Sequence, residues 1–409
     1  MTGFVGDIVA ERLGGASFGG GRTEYKFERI KRAKAEAALA RPDVPIIDLG
    51  IGESDEAADP LVVGTLASEA GKRENRSYAD NGTREFSEAA ARYLDRVYDV
   101  RVDAGNIVHG IGSKQILALL PACFINPGDV LLVPSPAYPV AASWTRYLGG
   151  EVHALPLRRE NGFLPDLSEV PPRVLRRAKL LYLNYPNNPT GAAATPEFFR
   201  EVVRFAERNR ILVIHDAAYG ALTYGSNRPL SFLSTPGADE VGVEVHSLSK
   251  AFNMTGWRMG FVTGNRTAVS AYASIKENTD AGQFRAIQKA AITALSHPEI
   301  TERSRERYSR RLDLLVGALR DAGFDAAKPA GTFYCYARAP VAAGNVPFGN
   351  AEEAALWLLT TAYVSTVPWD DAGSYLRFSA TFEGADEAAE IAVMESLRER
   401  LLDARLAFG

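Results

Sequence analysis

A lysine among hydroxyl, glycine and basic residues is the strongest candidate for chemistry in this sequence. Lys250 lies in the segment Ser247 to Gly260, which directly follows the apolar run Val241 to Val245. Such a run is typical of a strand, and open α/β sheets bind ligands beyond their strand ends. The lysine amine can form a Schiff base with an aldehyde there, provided that burial or a neighbouring cation lowers its pKa. Ser247 and Arg258 carry groups suited to a phosphate dianion, whereas a lone lysine after a strand is more often a solvated surface residue.

Two other polar segments follow apolar runs. Asp216 and Tyr219 come after the run Ile211 to Ile214, and the segment Asn184 to Gly191 comes after Leu180 to Leu183. Each segment therefore lies just beyond a predicted strand, as Lys250 does. Spacing alone leaves simpler alternatives open, because the aspartate also suits a helix N-cap and the asparagine-rich segment also suits a proline-rich turn.

Two further segments are suited to binding anions. Gly110 to Gln115 precedes the helical run Ile116 to Phe124, so its backbone N–H groups can point at an anion, although a lone Gly-x-Gly before a helix is weak evidence. Arg377 lies in the apolar, strand-like stretch Tyr375 to Ser379. Burying its guanidinium there would be costly unless an anion occupied the site.

The elements that must position these residues follow an alternating pattern. Short apolar runs are separated by helical or turn-rich stretches, which indicates strands joined by crossover helices. The runs are Asp129 to Val133, Leu180 to Leu183, Ile211 to Ile214 and Val241 to Val245. We therefore expect an α/β fold with a mostly parallel sheet covered on both faces.

The pattern changes near Glu302. An Arg-rich helix, Glu302 to Ala322, is predicted to connect two lobes, and an α+β lobe follows it. That lobe is predicted to contain the strands Gly331 to Tyr336 and Tyr375 to Ala380 and helices at Ala351 to Ala362 and Ala385 to Leu402. A chain of 409 residues is also longer than one compact core usually holds.

The N-terminal residues are predicted to join the smaller lobe. Gly14 to Gly21 is interpreted as a mobile arm, Tyr25 to Ala40 as a basic helix and Val44 to Leu49 as a strand. The predicted division is 1–45 for the arm and helix, 46–305 for the large domain and 306–409 for the C-terminal small domain.

Composition and charge exclude several classes of function. The 46 basic and 50 acidic residues give a formal charge of -4, which argues against nucleic acid as a partner. No apolar run approaches membrane-spanning length and the stretch Met1 to Gly21 has no pattern of a targeting sequence, so a cytoplasmic protein that binds no membrane is expected. The two cysteines, Cys123 and Cys335, are interpreted as buried thiols in a reducing compartment rather than as a disulfide or metal site.

The lysine segment resembles a known family. It matches the pattern Ser-x-Ser-Lys-x-x-x-Met-x-Gly-x-Arg-x-Gly of the class I/II aminotransferases of fold type I. The resemblance implies a large pyridoxal 5′-phosphate (PLP) domain, with a mostly parallel sheet flanked by helices, and a smaller α+β domain. It makes Lys250 the residue that holds the cofactor as an aldimine and then acts as general acid/base.

The resemblance also implies roles for the cofactor's other ligands. Asp216 would protonate the pyridine nitrogen, Tyr219 and Asn188 would bind the phenolic oxygen, and the peptide bond after Asn188 is expected to be cis. Tyr138 would stack on the ring. The phosphate would be bound by residues of the glycine turn and the lysine segment and by a tyrosine of the neighbouring subunit, namely Ser113, Lys114, Ser247, Arg258 and Tyr78. Tyr78 lies one residue nearer to its glycine than the family pattern has it.

Substrate contacts are implied by a narrower likeness. In the family, Arg377 matches the arginine that binds the substrate α-carboxylate, Gly50 and Ile51 match a loop that closes over the substrate, and Tyr138 and Asn188 also face it. The strings at Tyr25 to Ile30, Asp48 to Glu53, Asn278 to Phe284 and Gly331 to Tyr334 look like the LL-diaminopimelate aminotransferases. There, the positions that match Tyr25, Asp80, Lys114 and Asn278 read the substrate's distal end. Asp80 is shorter than the glutamate often found at its position.

The implied reaction transfers an amino group from glutamate to tetrahydrodipicolinate, giving LL-diaminopimelate and 2-oxoglutarate by ping-pong kinetics. The implied assembly is a homodimer with shared active sites. Alternatives are another class I/II aminotransferase acting on aspartate, alanine or aromatic amino acids, and a PLP-dependent lyase, for which no leaving-group site is marked. A catalytically silent PLP-binding regulator would need a DNA-binding module, for which the N-terminal arm is too short. No Gly-x-Gly-x-x-Gly after a strand supports a nicotinamide-binding protein.

Overall fold

A computed structural model describes residues 4–18 and 26–409 of the chain. Its α-helices are α1 (Phe4–Asp7), α2 (Lys26–Ala40), α3 (Pro60–Ala70), α4 (Arg84–Tyr98), α5 (Gly112–Phe124), α6 (Val140–Tyr147), α7 (Pro172–Leu175), α8 (Pro196–Asn209), α9 (Ala238–Val241), α10 (Arg266–Glu277), α11 (Arg285–Ser296), α12 (Pro298–Asp321), α13 (Ala351–Thr361) and α14 (Glu387–Asp403). Its strands are β1 (Ile47–Asp48), β2 (Val108–Ile111), β3 (Val130–Ser135), β4 (Glu151–Pro156), β5 (Ala178–Asn184), β6 (Leu212–Asp216), β7 (Gly242–Ser247), β8 (Met259–Gly264), β9 (Tyr334–Arg338), β10 (Ala342–Ala343), β11 (Val346–Pro347), β12 (Val364–Ser365), β13 (Val367–Trp369), β14 (Tyr375–Ser379) and β15 (Leu406–Ala407).

A seven-stranded sheet with the strand order β2-β8-β7-β6-β5-β3-β4 forms the centre of the larger part. Strands β3 to β7 run parallel to one another, and β8 is antiparallel to both of its neighbours. The register places Asn184 opposite Asp216 at the carboxyl ends of β5 and β6. The prediction of a mostly parallel sheet is confirmed, and its strand ends bring the polar segments of the sequence to one edge.

Both faces of this sheet are buried, which explains why its strands are nearly continuous apolar runs. Tyr182 and Ile214 pack on one face with Ile116 of α5. Leu181 and Val213 pack on the other face with the aromatic side chains of α8. The alternation of side chains along each strand therefore divides the large core into two layers, one on each side of the sheet.

The smaller part is built from a three-stranded antiparallel sheet, β13-β14-β9, with α12, α13 and α14 around it. Helix α12 begins at Pro298, four residues before the predicted Glu302, because proline is well tolerated in the first turn of a helix. Strand β9 begins at Tyr334 rather than at the predicted Gly331, which forms an isolated bridge with Thr223. A Cβ on Gly331 would lie 2.6 Å from Pro186 side-chain atoms, so this close approach requires glycine.

The N-terminal residues contact the smaller part. Strand β1 pairs with β12 in parallel, and Arg29 of α2 forms an ion pair of 2.9 Å with Glu352 of α13. Of the predicted glycine-rich arm, Gly15–Ser17 forms a turn of 3-10 helix, while residues 19–21 and Tyr25 lie outside the described residues.

Two of the remaining predictions concern cysteines and membrane spans. Cys335 is buried as predicted and Cys123 is half-buried; both thiols are free, and burial raises the pKa of each to about 12. In residues 4–18 and 26–409, no helix combines the length and the apolar character that crossing a bilayer requires.

Candidate active site

A cavity of about 510 Å³ lies at the carboxyl ends of the central strands, between the sheet and the smaller part. Most of the residues singled out in the sequence line it. They are Gly50, Ser113, Lys114, Tyr138, Asn188, Asp216, Tyr219, Ser247, Lys250, Arg258 and Arg377. The parallel strands bring these segments together although they are far apart in the chain, as expected for an open α/β sheet.

Lys250 lies three residues beyond β7, with its amine directed at a backbone carbonyl. Its Nζ donates a hydrogen bond of 2.6 Å to the carbonyl oxygen of Gly52. Burial lowers the pKa of Lys250 to about 8, and the charges of Arg377 and Arg258 act in the same direction, against those of Glu53 and Asp216. A lysine with this pKa has a substantial neutral fraction near neutral pH, which a nucleophilic amine requires.

Asp216 is the last residue of β6 and is buried. Its Oδ2 accepts a hydrogen bond of 3.0 Å from the Tyr182 hydroxyl, and its Oδ1 accepts one of 3.1 Å from the backbone N–H of Ala218. Burial raises the pKa of Asp216, which these two hydrogen bonds only partly oppose. Since the residue ends a strand and a turn follows it, the helix N-cap alternative is not what the structure shows. A cation at this carboxylate would stabilise its charged form.

The asparagine-rich segment is held by its own side chains. Asn184 Nδ2 donates to the carbonyl oxygen of Asp216, and Asn184 Oδ1 accepts from the backbone N–H of Asn188, both at 2.9 Å. The peptide bonds Tyr185–Pro186 and Asn188–Pro189 are cis. These hydrogen bonds hold the backbone of Asn188 at the cavity wall, so the segment does more than form a surface turn.

Arg377 is 3% exposed in the middle of β14. Its Nη1 donates to Asn188 Oδ1 at 2.9 Å, its Nη2 donates to the Gly50 carbonyl oxygen at 3.1 Å, and its Nε has no partner. The guanidinium carbon lies 4.1 Å from the centre of the Tyr334 ring. All of these partners are neutral, so an anion bound in the cavity would provide the counter-ion of the buried Arg377 guanidinium.

Tyr219 faces the same cavity through a hydroxyl pair. Its oxygen lies 2.9 Å from the hydroxyl oxygen of Tyr334, and burial raises the pKa of Tyr219 well above its usual value. A tyrosine that stays protonated can donate a hydrogen bond to a ligand oxygen.

The turn between β2 and α5 forms a cradle for a phosphate. Gly112 has a φ of +71°, and a Cβ there would lie 2.3 Å from Arg258 Nη2. Helix α5 begins at this glycine, four residues earlier than predicted, so Ser113 and Lys114 lie in its first turn, where unpaired backbone N–H groups attract anions. Arg258 Nη1 donates to the Thr255 carbonyl oxygen at 2.8 Å, which fixes the guanidinium beside the cradle.

This donor set fits PLP. A lysine amine of lowered pKa suits the aldehyde, a buried carboxylate without a cationic partner suits a protonated ring nitrogen, and the cradle at Gly112 with Arg258 suits the phosphate. Asn188 and Tyr219 would donate to the phenolic oxygen, and Tyr138 lines the same cavity.

Five predicted site residues are not part of this cavity wall. Tyr78, Asp80 and Asn278 are exposed, Ile51 is exposed with its carbonyl oxygen bound to Thr381 Oγ1, and Tyr25 lies outside the described residues. Tyr78, Asp80 and Asn278 belong to two adjacent loops, because the N–H of Ala79 donates to the carbonyl oxygen of Ala281 at 3.2 Å. The chain's own fold thus separates these loop residues from the cavity-lining ones.

Sequence reasoning missed several residues of the cavity wall, among them Glu53, Tyr334, Trp369 and Asp371. The string Gly331 to Tyr334 had indicated a family likeness without a role for its tyrosine. Trp369 ends β13 and Asp371 lies in the turn that follows it, and no motif or periodicity links either residue to Lys250.

The chain is similar in sequence to known proteins over almost its whole length. A family model described as aminotransferase class I and II matches residues 44–391. The LL-diaminopimelate aminotransferase of Methanocaldococcus jannaschii is 52% identical over 98% of this chain and 97% of its own length. The enzyme of the same description from Methanococcus maripaludis is 51% identical over 97% and 96%.

Solved structures agree in fold. A substrate-bound BacF structure from Bacillus subtilis superposes with a TM-score of 0.87 at 32% identity, covering 98% of this chain and 99% of that one. An aspartate aminotransferase mutant from Thermus thermophilus gives a TM-score of 0.84 at 28% identity, covering 96% and 99%. The predicted fold class, with a large α/β part and a smaller α+β part, is confirmed by these likenesses.

Proposed function

The chain belongs to the class I and II aminotransferases, and from that premise we propose that it transfers an amino group from glutamate to tetrahydrodipicolinate, giving LL-diaminopimelate and 2-oxoglutarate. The observation that carries the proposal is the convergence of Lys250, Asp216 and Arg377 on one cavity. Identity of 51–52% to two LL-diaminopimelate aminotransferases over nearly the whole chain supports this substrate pair over aspartate, alanine or aromatic amino acids.

PLP, when bound, supplies an electrophilic aldehyde and an electron-withdrawing ring. Lys250 would hold the aldehyde, and its Nζ, once released, would be the general acid/base that moves the proton at the substrate Cα. Its lowered pKa suits it to both tasks at neutral pH. The two half-reactions use the same groups in opposite directions, so ping-pong kinetics are expected.

The surrounding residues orient the reactants and hold charge. Asp216 would keep the ring nitrogen protonated, because its buried carboxylate and a cation beside it stabilise each other. Arg377 binds the α-carboxylate of each substrate through a guanidinium that the chain leaves with neutral partners. Asn188 and Tyr219, which line the cavity, would donate to the phenolic oxygen, and Arg258 with the α5 N-terminus would bind the phosphate.

The proposal includes a homodimer that shares its active sites. Tyr78 is 78% exposed, and Asp80 and Asn278 are exposed in the adjacent loops. In the proposed dimer, Tyr78 binds the phosphate of the neighbouring subunit, while Asp80 and Asn278 meet the distal end of its substrate. Lys114, and the Tyr25 position outside the described residues, complete the distal subsite.

The proposed location and domain division complete this account. A cytoplasmic location is supported by two free thiols, Cys123 and Cys335, which a reducing compartment preserves. The division 1–45, 46–305 and 306–409 is supported by the Arg29–Glu352 ion pair between the N-terminal helix and the last segment. Strand β1 also pairs with β12, so the N-terminal contacts with the smaller part extend to Asp48.

The test is donor profiling of the purified enzyme with 2-oxoglutarate as acceptor. LL-diaminopimelate should exceed aspartate, alanine and phenylalanine in kcat/KM by at least about 100-fold, because a site with groups for both charges of the distal centre rejects substrates that leave them unpaired. Glutamate formation is measured for each donor at equal enzyme concentration. A preference for any of the other donors would overturn the substrate assignment while leaving the family unchanged.

A further inference from the structure

Lys276, on helix α10, is a fully buried lysine outside the cavity. Its Nζ donates to the backbone carbonyl oxygen of Asp80 and to Asp280 Oδ1, the latter at 2.7 Å. A buried ammonium is strongly unfavourable unless it is paired and hydrogen-bonded. The lysine therefore ties the exposed loop 78–82 to the end of helix α10.

Asp280 extends this contact in a second direction. Its Oδ1 also accepts from the backbone N–H of Gly282 at 2.7 Å, and its Oδ2 accepts from Gln115 Nε2 at 2.5 Å. Burial on its own would raise the pKa of Asp280, but the hydrogen bonds from Lys276 and Gln115 hold it below the usual value. The carboxylate is thus charged and bridges a lysine and a glutamine.

Gln115 completes the chain of contacts at the phosphate cradle. Its Oε1 accepts a hydrogen bond of 2.7 Å from the backbone N–H of Ile111, the residue immediately before Gly112. Three side chains, those of Lys276, Asp280 and Gln115, therefore join the carbonyl of Asp80 to the turn that forms the cradle; we name them the Lys276 network.

Loop 78–82, which lies at the Asp80 end of the Lys276 network, packs closely against the segment 282–285. A Cβ on Gly282 would lie 2.6 Å from the backbone nitrogen of Asp80, and Arg285 Nη2 donates to the carbonyl oxygen of Tyr78 at 2.8 Å. His109 lies beside the loop. Its backbone N–H donates to the Asn81 carbonyl oxygen, and its ring Nε2 accepts from the backbone N–H of Gln283 at 3.0 Å. The position of Tyr78 thus depends on the segment 276–285.

We propose that Lys276 and Asp280 are positioning residues that hold the loop of Tyr78 in register with the phosphate cradle, so that the network couples cofactor binding in one subunit to the surface offered to the other. The inference rests on the proposed function, in which Tyr78 reaches the neighbouring subunit's phosphate. The three side chains of the network are not among the cavity-lining residues, and the network ends at two backbone groups, the Asp80 carbonyl in the loop of Tyr78 and the Ile111 N–H at the end of β2.

The test is a double-mutant cycle on cofactor affinity. Lys276→Met, Tyr78→Phe and the double variant are titrated with PLP as cofactor-free proteins, with binding followed by absorbance. Each single change should weaken binding by about 10-fold, and the double variant should lose little more, because coupled residues give non-additive effects. Lys289→Met is the matched control, since Lys289 is partly exposed and pairs with Glu85 at 3.6 Å; its effect should add to that of Tyr78→Phe.

Asp280→Asn provides a second variant in case Lys276→Met does not fold, with thermal unfolding and sedimentation as the checks on fold and dimer. It should also be non-additive with Tyr78→Phe. Additive losses in either cycle, or PLP affinity unchanged in both network variants, would overturn the inference while the proposed function stands. A wild-type protein that is monomeric or does not bind PLP would overturn the proposed function, and the inference with it.

Discussion

The cavity-lining residues at the strand ends and the exposed loops around Tyr78 differ in what holds them in place. Asp216 and Asn184 are opposite each other in the hydrogen-bonded register of β5 and β6, so the sheet itself fixes their separation. The loop of Tyr78 lies outside the sheet, and side chains that bind its backbone, among them Lys276 and Arg285, add to its hydrogen bonds with the backbones of Ala281 and His109. The sheet positions polar side chains around a cavity within one chain, whereas the loop of Tyr78 presents side chains at the surface.

Their buried charges differ in the same way. At the strand ends, Lys250 binds a carbonyl, Arg377 an amide and a carbonyl, and Asp216 a hydroxyl and an N–H, so these charges have neutral partners. Under the loops, Lys276 is paired directly with Asp280. A buried charge with neutral partners indicates where a charged ligand binds, while a paired one indicates a structural tie.

Replacing Lys250 should produce the largest effect, and it tests whether the strand-end residues carry the chemistry. In Lys250→Ala we expect kcat to fall by at least about 10³-fold, because both the cofactor anchor and the general acid/base are lost. Steady-state transamination measures the rate, and borohydride treatment followed by mass spectrometry tests for cofactor fixed to the chain. Lys289→Ala should keep normal values in both. Near-normal turnover, or cofactor still fixed by borohydride in Lys250→Ala, would contradict the assignment.

The pH dependence of acylation at Lys250 tests the strand-end site in a second way. In cofactor-free enzyme, the pKa of Lys250 of about 8 means that its neutral, reactive fraction rises as pH increases through 8 and falls as pH decreases below it. At pH 7.5 that fraction should exceed the fraction of an ordinary lysine by about 200-fold.

The measurement is the acylation rate of the Lys250 peptide, quantified by mass spectrometry between pH 6 and pH 11. A free lysine peptide serves as the reference in the same reagent. A rate at Lys250 that tracks the reference peptide up to pH 10 would show that burial does not lower this pKa.

Most of the strand-end site could be predicted because each part lies within a few residues of an apolar run. Lys250, Asp216 and Asn188 follow predicted strands, and the structure places all three at the cavity. The strand limits were less accurate: β7 begins at Gly242 and reaches Ser247, since the predicted first residue, Val241, ends a short helix. Local sequence thus indicated which strands exist and which polar residues lie beyond their ends.

Contacts between distant segments could not be predicted in this way. Gln115 and Asp280 are 165 residues apart, and each reads locally as an ordinary helical or turn residue. Tyr334 meets Tyr219 only because β9 and the turn after β6 pack together. The first pair depends on how α5 and α10 pack within the larger part and the second on how the two parts dock, neither of which is encoded by a periodicity within one segment.

The smallest expected effect concerns Tyr182, whose hydroxyl donates to Asp216. It tests how much a neutral partner contributes to a buried charge at the strand ends. The hydrogen bond from Tyr182 lowers the pKa of Asp216, so in Tyr182→Phe that pKa should rise and the acid limb of the kcat profile should move to higher pH. Loss of one hydrogen bond to a charged group predicts a decrease in kcat of about 10-fold at pH 7. Tyr185→Phe is the matched control, because the buried Tyr185 hydroxyl donates to the Phe163 carbonyl instead. If both variants gave the same pH profile, the effect would come from general packing, and Tyr182 would have no specific role in keeping Asp216 ionised.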